Sequence, residues 1–146
     1  MKQLTPYQKD ALNYSANILL SANAGSGKTF VLSKRFVEIL VNEGIDIDNI
    51  VAITFTDKAA GELNKKIADE IELRIVNETD EKILRKLEQI RSQLVSANIS
   101  TIHSFCINIL KEFAPEAGID ANFIPIDQAT ADELLSLSIE ESLSQL

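Results

Sequence analysis

Apolar residues along this chain follow two patterns. Short aliphatic or β-branched runs bounded by turn residues predict buried strands, and apolar residues recurring every three or four positions predict helices lying on a core. Residues 17–22 (NILLSA) and 49–55 (NIVAITF) are runs of the first kind, and residues 98–100 predict a third, shorter strand. Residues 28–43 carry apolar side chains at 31, 32, 36, 37, 39, 40 and 41, which predicts a helix buried along one face with Gly44 as its stop. A long helix starting near Thr56 or Asp57 has its stripe at Ala60, Leu63, Ile67, Ile71 and Ile75 and breaks at residues 77–80. Asp80 then caps a helix with Ile83, Leu84, Leu87, Ile90 and Leu94 on one face. Residues 101–113 predict a helix with Ile102, Phe105, Cys106, Ile109 and Phe113 inward, stopped by Pro115. At the two ends of the chain, Thr5 with Gln8 and Thr130 with Glu133 have capping-box spacing, and Pro6 suits a first helical position. Residues 122–126 read as a short extended piece.

Strands alternating with helices predict an α/β fold, a short parallel sheet joined by right-handed crossovers and flanked by helices on both faces. Three strands are few for such a sheet, and the last helix reaches Leu146 with no stop signal. The chain therefore reads as the N-terminal piece of something longer.

Composition narrows the class. The 146 residues are 45% apolar and 25% charged, which suits a globular domain and excludes collagen-like or disordered readings. The net charge of −8 is uneven: all 14 Lys and Arg fall at or before Lys111 with 14 acidic residues, and the other 8 acidic residues follow from Glu112 onward. The front is neutral, so nucleic-acid contact there stays open although the whole chain is acidic. Cys106 is the single cysteine, which excludes an internal disulfide framework and a cysteine-based zinc site and fits a reducing, cytoplasmic compartment. No apolar run approaches the ~18–20 residues of a membrane span, and the first ten residues have no apolar signal core.

The strongest chemical signal is residues 22–29 (ANAGSGKT). The phosphate-loop pattern is G-x-x-x-x-G-K-[ST]; Gly27, Lys28 and Thr29 fit it, and Ala22 stands at the first glycine position. Gly25 and Gly27 let backbone N–H groups turn toward phosphate oxygens, and the helix starting near Lys28 adds its positive N-terminal end. Lys28 would reach the β- and γ-phosphates, and the Thr29 hydroxyl would hold Mg²⁺. A glycine-rich turn without a ligand is the bland alternative. Position decides against it, because the loop follows a predicted buried strand and opens a predicted helix.

This loop resembles that of the superfamily 1 DNA helicases, the UvrD/Rep-like group, in which Ala at the first loop position is common. Three further stretches match that group in order. Residues 4–8 (LTPYQ) resemble its Q motif, 53–60 (ITFTDKAA) its motif Ia, and 100–106 (STIHSFC) its motif Ib. The resemblance implies an ATP-dependent DNA translocase with a partial P-loop, RecA-like fold. Residues 1–110 would be the N-terminal part of domain 1A, and 111–146 the start of a helical 1B-type insertion. It implies that Gln8, Ala24, Gly25, Ser26, Gly27, Lys28, Thr29 and Phe30 bind ATP, with Lys28 and Thr29 catalytic. Phe55, Thr56, Lys58, Thr101, His103 and Ser104 would contact single-stranded or duplex-end DNA. The long helix after Asp80 resembles the helicase–nuclease branch, of the exonuclease V beta-subunit type, which implies a partner subunit.

The sequence also departs from that pattern. Many relatives carry Arg after the GKT, where this chain has Phe30. A Walker B Asp-Glu pair, arginine fingers and a second RecA-like domain are missing. The Asp132-Glu133 pair follows no apolar strand. The 146-residue chain alone is therefore expected to bind ATP weakly and not to hydrolyse it. Bland readings stand beside several of these roles: Gln8 as a capping residue, Phe55 and Cys106 as core, His103 as a surface residue, and Lys65 and Lys66 as solvated. The competing classes are a small P-loop NTPase or kinase, and a nucleotide-dependent interaction module without DNA. Single-strand binding separates them from the helicase reading.

Overall fold

In the computed structural model, residues 4–23 and 25–144 are described. Ala24, one of the residues expected to bind nucleotide, lies outside them. The chain forms two compact units, Met1–Phe105 and Cys106–Leu146.

The first unit opens with α1 (Pro6–Asp10), started by the capping box expected from Thr5 and Gln8. Then comes α2 (Lys28–Asn42), which ends near Gly44, a glycine at φ +64°. A short 3-10 turn (Ile47–Asn49) leads into β1 (Val51–Thr54). Thr56 caps α3 (Asp57–Asn77), its hydroxyl accepting the Ala59 N–H at 3.1 Å. Asp80 caps α4 (Glu81–Gln93), as expected from the sequence. After a second 3-10 turn (Leu94–Ser96) comes β2 (Asn98–Thr101), and α5 (Ile102–Glu112) follows without a break. Thr101, expected in the helix, closes the strand instead.

β1 and β2 pair in parallel, with Thr54 opposite Thr101. Because α3 and α4 link them, the unit is an α/β crossover, the class the alternation predicts. The core lies among α2, α3, α4 and one face of the sheet. It is built from Phe36, Val37 and Leu40, from Leu63, Ile67 and Ile71, and from Leu87, Ile90 and Leu94, with Ala52 beneath them. These are the residues of the predicted stripes.

Two expectations fail here. Residues 17–22 form no strand, so the sheet has two strands among the described residues rather than three. Leu19 is 98% exposed, and Ile18 and Leu20 are exposed as well. A strand exists through its ladder, and no described residues pair with this segment. Side chains hold the neighbouring backbone instead: Arg35 donates to the Ala11, Asn13 and Ala16 carbonyls, and Lys28 to those of Ala22 and Asn23. Nor is the sheet covered on both faces, since Val51 and Ile53 on the face opposite Ala52 are exposed.

In the second unit the end of α5 runs into α6 (Ala114–Ala117), whose first turn contains Pro115. The proline thus opens a new short helix after ending the old one, consistent with its tolerance at N-terminal positions. Gly118, at φ +67°, ends α6, and the Ile119 N–H returns to the Ala114 carbonyl at 3.1 Å. The last helix, α7 (Gln128–Ser144), is capped by Asp127, which accepts the Thr130 N–H at 2.8 Å. Asp127 displaces Thr130 from the expected cap because aspartate is the stronger N-cap and has the same three-residue reach. That N–H hydrogen bond holds its carboxyl below the usual carboxylate range. The apolar residues expected to face inward from residues 101–113 are not buried: α5 contains no buried residue, and Cys106 is exposed. A 3.6-residue stripe shows which residues share a face; it does not supply a surface to cover them.

Candidate functional site

The loop before α2 has the backbone its glycines predict. Gly25 and Gly27 both take left-handed φ, +77° and +86°. A Cβ on Gly27 would also come within 3.1 Å of Gln8 Nε2. That closeness has a cause: Gln8 Nε2 donates to the Ser26 carbonyl at 3.1 Å. Gln8 therefore holds its own helix cap through Oε1 and braces the loop through Nε2. The capping role of Gln8 holds, the contact with Ser26 is an addition to it, and a second Nε2 hydrogen remains for a ligand.

Gly27 caps α2 without a side chain to accept its first N–H groups, unlike Thr5, Thr56 and Asp80 at the other helices of this unit. Those donors, with the helix dipole behind them, face an approaching anion. Lys28 is folded back over the loop, donating to the Ala22 carbonyl at 2.6 Å and the Asn23 carbonyl at 2.8 Å. This leaves the ammonium one N–H for a third acceptor.

Lys28 stands between two cavities. One, about 300 Å³, has an apolar side formed by Tyr7, Ala11, Leu20 and Val31 and a polar side formed by Gln8, Ser21 and Ser26. The other, about 320 Å³, is lined by Gly25, Gly27, Thr29, Phe30 and Lys66. A nucleotide has the same asymmetry, a flat base at one end and a polyanion at the other. The donor set also suits ATP with Mg²⁺: backbone N–H groups and ammonium for phosphate oxygens, and the Thr29 hydroxyl for a hard cation. Among the described residues no cluster of His, Cys, Asp and Glu could hold a metal by itself. Any ion here would depend on the phosphates for much of its coordination.

Two features of this cavity were not anticipated. Lys66 is exposed, as the sequence reading expects, and in addition borders the cavity from α3. Phe30 carries the Lys34 ammonium 5.1 Å above its ring. The usable signal for Lys66 was its place one helical turn before Glu70, which puts both on one line of α3.

The residues expected to contact DNA gather at a second place. Because Thr54 pairs with Thr101, the turn after β1 (Phe55, Thr56) and the first turn of α5 (Ile102, His103, Ser104) lie side by side at the carboxyl edge of the sheet. Open α/β sheets bind their ligands at that edge. Phe55 is 100% exposed and not core, an aromatic face turned wholly to solvent. Lys58 and His103 are exposed, and Thr56 serves as the α3 cap. Thr101 is buried, and its hydroxyl donates to Ser104 Oγ at 2.9 Å, so these two form a local brace. Among the described residues no helix is long and apolar enough to cross a membrane.

Known proteins match this sequence over nearly the whole chain. The chain is 37% identical over 145 residues to an ATP-dependent helicase/nuclease subunit from Pediococcus pentosaceus, covering 99% of this chain and 12% of that protein. It is 36% identical over 146 residues to the protein of the same name from Alkaliphilus oremlandii, covering 98% and 12%. For Clostridium botulinum the figures are 35% over 145 residues, 97% and 11%. The chain thus spans about an eighth or less of each relative's length. The family model for the UvrD/REP helicase N-terminal domain matches residues 4–145, and the chain belongs to that family.

Proposed function

We propose that this chain is the ATP-binding front of an ATP-dependent DNA helicase that translocates on single-stranded DNA and acts within a helicase–nuclease complex. In this reading residues 1–110 are the N-terminal part of a P-loop, RecA-like domain 1A, and 111–146 begin a helical 1B-type insertion. One observation carries the proposal: Lys28 stands between an apolar cavity beside Gln8 and a polar one beside Gly27 and Thr29, on a unit whose sheet presents Phe55 at its carboxyl edge.

Each residue has a specific task in this reading. Gln8 offers its remaining amide hydrogen to the base, and Phe30 lines the loop end of the site. Gly25, Ser26 and Gly27 present N–H groups to the phosphates, beside Ala24. Lys28 neutralises the β- and γ-phosphates, which is most useful as charge shifts during phosphoryl transfer. Mg²⁺, held by the Thr29 hydroxyl and phosphate oxygens, supplies further charge neutralisation when bound. Phe55 stacks on a base, while Lys58, His103 and the N–H groups behind Thr56 meet backbone phosphates. Thr101 and Ser104 hold the second turn in shape. The partner is single-stranded or duplex-end DNA, together with another protein of the complex, and the setting is the cytoplasm.

Phe55 provides a direct test. In the full-length protein, Phe55→Ala is expected to weaken oligo-dT binding by about 1–3 kcal/mol, the usual worth of one base stacked on an aromatic. Fluorescence anisotropy with labelled dT measures it. In residues 1–146, where Phe55 is fully exposed, the same substitution should leave melting unchanged. Unchanged affinity would remove DNA from this edge of the sheet.

A further inference from the structure

Between α2 and α3 lies a chain of charges, one buried and three half-buried, that none of these contacts uses. Glu70 is 6% exposed and accepts from Lys34 Nζ through both oxygens at 2.8 Å. It also accepts from Arg74 Nε at 3.0 Å, and Arg74 Nη2 donates to Glu38 at 2.8 Å. Lys34 and Glu38 come from α2, Glu70 and Arg74 from α3. The four make a double rung across the helix pair. Burial by itself works against the Arg74 charge; the hydrogen bonds and charges of Glu38 and Glu70 outweigh it and raise the guanidinium pKa above its ordinary value.

Such networks are a poor source of stability, because desolvating the charges offsets most of their attraction. Stability between these helices already has a source in Phe36, Val37 and Leu40 against Leu63, Ile67 and Ile71. What the charges add is register. Directed bonds between fixed partners specify one pairing of the two helices more sharply than apolar contact does.

The rung also has a telling position. Lys34 reaches Phe30 on its other side, and Phe30 borders the cavity beside Gly27 and Thr29. Lys66, on the same cavity, is one turn before Glu70. From Glu70, α3 runs about 20 Å back to its start beside Phe55 and Thr56. The rung joins the helix that begins at the phosphate loop to the helix that begins at the carboxyl edge of the sheet.

We propose that Glu70 is a positioning residue that locks α3 to α2 in one register, so that a shift at the phosphate loop moves Phe55 and Thr56 as a rigid displacement of α3. This rests on the nucleotide and DNA reading given above.

The test uses the full-length protein and follows ATP turnover with and without saturating oligo-dT, affinity for a fluorescent ATP analogue, and melting temperature. Glu70→Gln keeps the shape and removes the charge. It is expected to retain DNA-free turnover and nucleotide affinity within about twofold, while losing about fivefold or more of the stimulation by DNA. A merely structural role would lower the melting temperature and leave the stimulation ratio of the folded protein intact; that result overturns the proposal. Loss of nucleotide affinity in step with stimulation overturns it too, since Glu70 would then shape the nucleotide site itself. If Glu70→Gln does not fold, Arg74→Lys, which keeps the charge and loses the fork between Glu70 and Glu38, is judged by the same criteria. Wild-type protein whose turnover ignores DNA would refute the reading of the site and, with it, this inference.

Discussion

Replacing Lys28 with alanine in the full-length protein is expected to lower DNA-stimulated ATP turnover by about 100-fold or more. The argument starts from what Lys28 touches. Its ammonium is anchored on the Ala22 and Asn23 carbonyls, so it is already held where a phosphate would meet it and little ordering remains for the reaction step. Phosphoryl transfer needs positioned charge more than covalent chemistry, and removing one preorganised group aimed at the developing charge typically costs about two to three orders of magnitude. The left-handed turns at Gly25 and Gly27 and the Gln8–Ser26 hydrogen bond should survive the substitution, whereas the Ala22 and Asn23 carbonyls lose the ammonium that holds them. A coupled phosphate-release assay reads turnover, and nucleotide titration shows whether binding is lost with it. The same assay on residues 1–146 alone should show no turnover, since this stretch has the cradle and no Walker B pair or arginine finger. Robust turnover by the short chain that depends on Lys28 would overturn that division of labour.

Truncating Leu40 to alanine is expected to destabilise the first unit by about 2–5 kcal/mol, the range for a fully enclosed leucine. Leu40 is 0% exposed and belongs to the cluster that joins α2 and α3 to α4. With α2, α3 and α4 pressed around the site, collapse into the cavity is limited and the upper part of the range applies. Leu19→Ala is the internal control. Leu19 is 98% exposed, so the same change there should stay within about 0.5 kcal/mol in residues 1–146. Urea unfolding followed by circular dichroism measures both. Equal effects at the two positions would mean that the core lies elsewhere than among these helices.

The contrast between Leu40 and Leu19 shows what could be read from the sequence and what could not. Both sit in strongly apolar runs. For Leu40 the run has helical spacing, and its partners at Leu63, Ile67, Leu87 and Ile90 have matching stripes within the same chain. Local pattern and tertiary contact agree, so the helix and its buried face were both legible. For Leu19 the run was read as a buried strand, but burying a strand takes neighbours for its N–H and C=O groups as well as for its side chains. Sequence pattern reports the demand for burial and is silent on who meets it. The same gap explains Cys106 and the rest of the α5 stripe, which the pattern turned inward and the structure leaves uncovered.

At the candidate site the division is similar. The phosphate loop, its two glycines, the Thr5–Gln8 cap and the helix starts at Thr56 and Asp80 were all visible in advance, because each is a local arrangement of a few neighbouring residues. That Gln8 also braces Ser26, that Lys66 borders the cavity, and that Glu70 ties α3 to α2 depend on contacts between residues 18 to 40 apart in sequence. Periodicity places such residues on a face, and the partner across that face appears only when the helices pack. The sequence by itself therefore determined the class of fold, the candidate phosphate loop and the family. Tertiary structure alone decided which apolar runs found cover, and which charges became buried partners, because burial and pairing belong to two surfaces at once.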